Sequence, residues 1–302
     1  MYFLSIKYFS FIKLLLFISL ISALPVKSIS QKIFNPYPFQ FDQVFYYKNT
    51  INPASNLNDN NRFLQVGHNG FNQLSNNIAT YYLNTRITFD KDSIYNPNKL
   101  GLFIINDKEG VYLNRFKLMG QYAYSIHLTD KTTWTSGISI GFVNNALKPN
   151  DAIGSESVYS PDGDIGTWLN HGDFYCGLSL NQFFNNKINF LNGNYLRKRH
   201  TSFLLGFNKQ ISRDISIKTE FFGRSGPELY NKYALGLTIG LKEYISLSLV
   251  GKSGNGLIPA IGVKNIPFLK NKMQFMFSWR IPTSKLILAG TGNTEIMIEY
   301  NF

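Results

Sequence analysis

Cysteine is almost missing from this chain. Cys176 is the only one in 302 residues, so neither a disulfide framework nor a cysteine-rich metal site can be built. Cys176 lies in a strand-like run and reads as a small hydrophobe. Charge is scarce as well: Asp, Glu, Lys and Arg make up 16% of the residues, against roughly 25% in ordinary soluble domains. Beyond the N-terminus no apolar run approaches the ~18 residues of a transmembrane helix. With a mean hydropathy of −0.11, a helical membrane protein is excluded. G-x-S-x-G, H-E-x-x-H, P-loop and paired C-x-x-C motifs are all absent, and His68, His127, His171 and His200 are widely spaced. No catalytic residue, cofactor or metal is therefore expected. Ser160-Pro161-Asp162-Gly163-Asp164 looks like a calcium-loop fragment, but it lacks the full D-x-D-x-D-G spacing and the distal Glu. It reads as an acidic surface loop.

Acidic residues are the scarcer sign, and the formal net charge is +12. The Lys and Arg are scattered over turns and loops without a basic helix or a clustered patch. That distribution argues against nucleic acid and fits anionic lipid headgroups or an acidic partner.

What the chain does have is alternation. From Phe116 to Phe142 it reads FKLMGQYAYSIHLTDKTTWTSGISIGF. Phe116, Leu118, Tyr122, Tyr124, Ile126 and Leu128 recur at every second position, with Lys117, Met119, Gln121, Ala123, Ser125 and His127 between them. After the polar turn Thr129–Thr132, residues Trp134, Ile138, Ile140 and Phe142 keep one register; Thr135, Gly137, Ser139 and Gly141 keep the other. A two-residue period means strands with one apolar face and one small or polar face. Each arm is long enough to cross a bilayer as a tilted strand, which takes about 9–11 residues, and aromatics mark the ends as in interfacial girdles.

Taken in order, residues 1–30 have the form of a secretory signal peptide. Lys7 and Lys13 precede or flank the apolar core Leu14–Ile21, and Ser28-Ile29-Ser30 offers a small-x-small site, so cleavage is predicted before Gln31. Residues 31–61 form an aromatic, proline-containing N-terminal segment that either leads into the barrel or folds into its lumen as a plug. From Arg62 fourteen strand-like runs follow, near 62–70, 79–90, 99–106, 115–128, 132–144, 163–170, 172–182, 200–211, 213–224, 229–242, 243–252, 256–264, 271–281 and 293–302. With the N-terminus in the periplasm, the long connections 145–162, 183–199 and 282–292 fall outside. The tight turns at 129–132, 212–214 and 241–243 fall inside. The chain closes on Ile296, Ile298, Tyr300 and Phe302 in alternation, as outer-membrane barrels do at their last strand. The fold read from these patterns is all-β. Residues 62–302 form a transmembrane antiparallel up-and-down β-barrel of 14 strands in the outer membrane of a Gram-negative bacterium. In lipid every backbone polar group must be paired, which favours closure.

The residues also resemble a known family. Gln43–Asn49 followed by Ile51-Asn52-Pro53-Ala54 is similar to the "FY-N-…-NPA" opening of the PorP/SprF family. Gly101–Gly110, with Asn106-Asp107-Lys108, resembles its "NDK-x-G" segment, and Tyr122-Ala123-Tyr124 with Leu128 its "YAY-x-x-L" strand. Gly137–Phe142, Phe174–Ser179 and Thr294–Phe302 resemble further elements in the same order. The element expected after the NPA turn is absent; Val66-Gly67-His68-Asn69 stands there. The resemblance implies a noncatalytic outer-membrane component of type IX secretion that supports secretion or surface anchoring of a partner protein, often an adhesin tied to gliding motility. It implies as partners a secreted protein with a C-terminal sorting domain, the translocon and periplasmic ring components. In that reading Asn52, Pro53 and Ala54 are structural, Asn106-Asp107 closes a turn through Asx hydrogen bonds, and Tyr122 and Tyr124 belong to a wall strand. The alternative is a 14-stranded transporter for hydrophobic small molecules with 31–61 as its plug.

Overall fold

The computed structural model describes residues 41–55, 62–71, 78–89, 98–148, 155–190, 193–226, 229–253, 256–265, 273–281 and 293–302. The expected signal peptide, residues 31–40 and 56–61 of the N-terminal segment and the whole 282–292 connection lie outside these residues.

The strands in chain order are β1 (Arg62–Phe71), β2 (Ile78–Phe89), β3 (Asn98–Glu109), β4 (Leu113–Thr129), β5 (Thr132–Leu147), β6 (Glu156–His171), β7 (Phe174–Asn181), β8 (Lys187–Phe190), β9 (Gly193–Leu196), β10 (His200–Ser212), β11 (Ile215–Gly226), β12 (Leu229–Leu241), β13 (Ile245–Lys252), β14 (Gly256–Val263), β15 (Met273–Trp279) and β16 (Asn293–Asn301). Fourteen of them close into one antiparallel barrel, with β16 pairing β1; β8 and β9 form a separate two-stranded hairpin. The seam is in register from Phe63–Asn301 to Phe71–Asn293.

The two-residue period decides which side chains meet lipid. In β4, Lys117, Met119, Gln121, Ala123 and Ser125 are buried, whereas Tyr122 and Ile126 are exposed. In β16, Glu295 and Met297 are buried, whereas Ile296, Tyr300 and Phe302 are exposed. Exposed Leu100, Ile140, Ile165, Leu178, Leu205, Leu247 and Phe277 continue this outer apolar band around the wall. Tight turns join β4–β5, β6–β7, β10–β11 and β12–β13 at one end; in the last of these Lys242 and Glu243 take positive φ (49° and 61°). The longer β5–β6 and β7–β10 connections lie at the other end.

Three local expectations are corrected. Ser160–Asp164 is wall, not a surface loop: β6 begins at Glu156, and Pro161 lies opposite Phe142. Between its start and Asp164, β6 is paired on the β5 side, β7 joining only from Asp164. A one-sided stretch tolerates a proline, which cannot donate to a ladder. Asn106 and Asp107 sit inside β3, and the turn comes at Gly110 (φ 85°). Asp107 instead accepts a hydrogen bond from Thr80 Oγ1 (2.6 Å) and pairs with Arg115 (2.6 Å). Finally, 183–199 is not a free loop. Its β8–β9 hairpin turns back on the inner face at the mouth, where Ile188 and Phe190 are buried against Leu113 and Leu147, with Val158 alongside. Asn181–Gln182 and the chain around Phe183 are pinned to β6, with Phe183 N–H donating to Gly163 O at 3.0 Å.

The outer band makes a direct prediction. Ile140 stands at the middle of β5, 55% exposed. Ile140→Arg should cost about 2–4 kcal/mol if that position meets the bilayer midplane. Equilibrium unfolding in phospholipid vesicles measures this, and a loss below ~1 kcal/mol would place Ile140 nearer the interface.

Candidate functional site: the occupied lumen

Residues 41–55 run through the barrel. A short 3-10 turn (Val44–Tyr46) and a single helical turn (Lys48–Ile51) give this segment few hydrogen bonds of its own. Phe41 and Asp42 lie near the long-loop ends of β13 and β16, and Ser55 lies near the tight-turn end of β2. We refer to the segment as the plug.

A backbone inside a barrel has no strand beside it, so its carbonyls need other donors. The inner wall supplies them one by one. Lys252 Nζ donates to Phe41 O (2.6 Å), Gln65 Nε2 to Tyr46 O (3.4 Å) and Gln121 Nε2 to Asn49 O (2.6 Å). Asn181 Nδ2 and Ser179 Oγ both reach Ile51 O, at 2.7 and 3.0 Å. Arg86 spans two carbonyls, donating from Nη2 to Pro53 O at 3.1 Å and from Nη1 to Ser55 O. Side chains are tied as well. Asn49 and Asn84 exchange amide hydrogen bonds of 2.5 and 2.9 Å. Asp42 accepts from Arg280 Nε at 3.1 Å and Asn293 Nδ2 at 3.0 Å, while its N–H donates to Glu295 Oε2 at 2.8 Å.

Apolar packing fills the waist between these bonds. Val44, Phe45, Ile51 and Ala54 join Trp168, Leu204, Phe222, Ala234, Val250 and Ile258 in one cluster. Phe41 and Tyr47 join Tyr82, Phe103, Ile105, Met119, Met276 and Met297 in another. Lys48, 1% exposed, pairs with Glu220 and donates to Tyr175 Oη at 2.8 Å. The buried Lys48 ammonium is thus answered by the Glu220 carboxylate beside it. Tyr47 Oη accepts a hydrogen bond from Tyr82 Oη at 2.5 Å.

Asn52, Pro53 and Ala54 lie at the close approach of plug and wall. Asn52 Oδ1 accepts from Ala54 N–H (2.9 Å), and its Nδ2 donates to the strand carbonyls of Thr167 (3.0 Å) and Leu178 (3.2 Å). They rest on glycines: a Cβ on Gly166 would stand 2.0 Å from Asn52 Oδ1, and one on Gly137 would stand 2.6 Å from Ala54 N. Gly236 does the same for Phe45, at 2.6 Å. A glycine inside a strand often marks such an approach.

Tyr122 and Tyr124 are not part of this site. Both belong to the outward register of β4, and Tyr122 Oη donates to Asn98 Oδ1 (2.6 Å). Asn106 and Asp107 stand on β3, outside the plug contacts, and Ile296, Ile298, Tyr300 and Phe302 alternate on the outer side of β16. Reading the sequence alone misses Arg86, Asn181, Lys252 and the seat glycines, and gives Gln121 and Glu220 no partner. Their signal is faint but present: long polar side chains or glycine on the inner register of otherwise apolar strands.

The two carboxylates of the supposed calcium fragment are neutralised within the protein. Asp162 pairs with Lys117 (2.8 Å) and Arg197 (3.0 Å), and Asp164 lies 3.8 Å from Lys117. Arg197 comes from the β7–β10 connection, so this cluster also holds the inward-folded hairpin.

Gly166→Val should unseat the plug while the wall still closes. The expected result is rapid protease cleavage within 41–55, with the heat-modifiable gel mobility of a folded barrel retained. A plug that stays protected in this variant would contradict the close packing. Arg86→Ala should cost about 2–6 kcal/mol in unfolding, since it leaves two buried carbonyls without donors.

Residues 33–300 match the family described as type IX secretion system membrane protein PorP/SprF. No curated protein sequence matches. Among solved structures, the toluene transporter TbuX of Ralstonia pickettii superposes with a TM-score of 0.52 at 11% identity, over 84% of this chain and 92% of that one. A FadL homologue of Pseudomonas aeruginosa gives 0.47 at 7% identity, over 80% and 90%. The first of these likenesses is one of fold.

Proposed function

Since the chain belongs to the PorP/SprF family of type IX secretion system membrane proteins, we propose that it serves as an occluded outer-membrane scaffold for secretion. In this role it supports the export or surface anchoring of a partner protein and does not conduct solutes. The observation that carries this reading is the plug: its carbonyls are taken up by wall side chains, and its apolar residues fill the waist. A barrel whose lumen is so occupied offers its surfaces, rather than a pore, to partners.

The long-loop end would face the cell exterior and the tight-turn end, with Phe302, the periplasm. A partner carrying a C-terminal sorting domain would meet the long-loop end, where the basic balance of the chain favours an acidic face. Translocon and periplasmic ring components would meet the other end. An adhesin of the gliding machinery is the type of client that the family resemblance implies.

A transporter reading gains less support. TbuX is described as a toluene transporter, and an apolar ring needs an apolar path. Here a lumenal cavity beside the plug has Lys117, Asp164, Arg224, Lys232 and Lys252 in its lining, next to Phe41, Val44 and Phe222. Charged walls of this sort disfavour a hydrocarbon.

Affinity purification from detergent-solubilised outer membrane tests the proposal. A large surface protein with a C-terminal sorting domain should co-purify with the wild-type barrel. Removing residues 149–154, outside β5 and β6, should reduce its recovery at least tenfold while barrel insertion is unchanged. Removing 183–199 instead should impair the barrel itself, because that stretch supplies Ile188, Phe190 and Arg197. Recovery of the barrel alone, carrying a hydrophobic solute, would overturn the scaffold reading.

A further inference from the structure

Cross-strand neighbours on one face of a sheet normally avoid like charge. β11 and β12 break that rule. Arg224 lies directly opposite Lys232, both on the inner register. On the next strand Lys252 is paired with Ala234, two residues along from Lys232. Three cations thus stand within two residues of one level on three consecutive strands. Lys252 is engaged by Phe41 O at 2.6 Å. Arg224, 8% exposed, makes a hydrogen bond to Ser202 Oγ at 3.4 Å and stands over the Phe222 ring, with the Asp164 carboxylate farther off across the same cavity. No carboxylate among the described residues pairs with Arg224 or Lys232.

These three side chains face a common space. A cavity of about 40 Å³ lies between the plug and the long-loop half of the wall, lined by Arg224, Lys232, Lys252, Lys117 and His200 and by one carboxylate, Asp164, which lies 3.8 Å from Lys117. One buried water needs roughly 10–15 Å³ on this measure, so the space admits a small polyatomic group. Elsewhere in this lumen buried cations are answered: Lys117 and Arg197 by Asp162, Arg280 by Asp42, Lys48 by Glu220. Arg224 and Lys232 differ from these: they face each other as like charges, and the one carboxylate in their cavity, Asp164, lies beside Lys117. Four cations around one carboxylate leave the cavity with a net positive charge, a local conflict of the kind found at functional sites.

We propose that Arg224, Lys232 and Lys252 form an oxyanion site in the long-loop half of the lumen, which takes a carboxylate or a phosphate. The guanidinium of Arg224 can present two N–H donors in one plane to two oxygens. Lys232 adds a compact charge from the facing strand. Lys252, already held by the plug, would link occupancy of the site to the seating of residues 41–55. The site does not depend on the secretion role, since it follows from the placement of charge within the wall.

Full-length protein in detergent tests this by thermal unfolding and calorimetric titration, with inorganic phosphate, a short Glu-rich peptide and a Lys-rich control peptide as probes. The wild type should be stabilised by phosphate, the Glu-rich peptide or both, and not by the Lys-rich peptide. Phosphate alone identifies a free anion as the ligand; the Glu-rich peptide identifies carboxylates of an acidic segment. Lys232→Gln should bind the active probe at least tenfold more weakly. It should also unfold at a higher temperature than wild type when no anion is present, because the like-charge pair is gone. Lys232→Arg should retain binding. The inference is overturned if neither anionic probe binds, if binding survives Lys232→Gln unchanged, or if Lys232→Gln lowers the unfolding temperature as a merely structural lysine would.

Discussion

A polypeptide threaded through a barrel cannot join the sheet that surrounds it, and this constraint governs the molecule. Each buried carbonyl left without a donor costs about 1–3 kcal/mol. The inner wall meets this with long polar side chains, each placed where a particular carbonyl of the plug arrives: Lys252, Gln65, Gln121, Asn181 and Arg86. These residues lie on β13, β1, β4, β7 and β2, so the plug is bonded around much of the circumference. Wall and plug are therefore complementary in the way of a receptor and its peptide, although they belong to one chain.

The same complementarity divides the lumen. At the waist, aromatic and aliphatic side chains of plug and wall pack into two clusters, and glycine at Gly137, Gly166 and Gly236 lets the plug backbone come close. In the long-loop half, charged side chains dominate and the inward-folded β8–β9 hairpin narrows the mouth. The outer surface shows none of this differentiation. It is a continuous apolar band interrupted by small residues, as lipid requires.

The barrel itself was largely legible in the sequence, because a two-residue period survives in most wall strands and lipid tolerates few exceptions on the outer register. The count of fourteen and the closing strand Ile296–Phe302 follow from that pattern alone. Other features were hidden for physical reasons. Ser160-Pro161-Asp162-Gly163-Asp164 has the composition of a loop, and only the one-sided pairing of β6 explains how proline and two aspartates fit in a strand. Asn106-Asp107 looks like a turn because those residues favour turns; here Thr80 and Arg115 use the aspartate within the ladder. The lumenal contacts were hardest to foresee. Inner-register residues such as Arg86 or Glu220 announce a polar interior, but their partners lie far off along the chain, and no local pattern records that pairing. The aromatic character of 31–61 pointed to burial without saying where, and the seat of Asn52-Pro53-Ala54 needs three strands at once.

The position of the plug in the chain has a kinetic side. Asp42 bonds to Glu295, 253 residues away, and Asn293 and Arg280 complete the same knot. Contacts so distant along the chain are slow to form, and this one cannot exist until the final strands have been laid down. The segment that precedes the first strand thus finishes its folding last, after β16 has come alongside β1. Asp42 can be bonded only once its partners are in place, on β16 and just past the end of β15. A chain arrested before closure would present an unseated N-terminal segment, a state recognisably different from the finished barrel to any factor that inspects assembly.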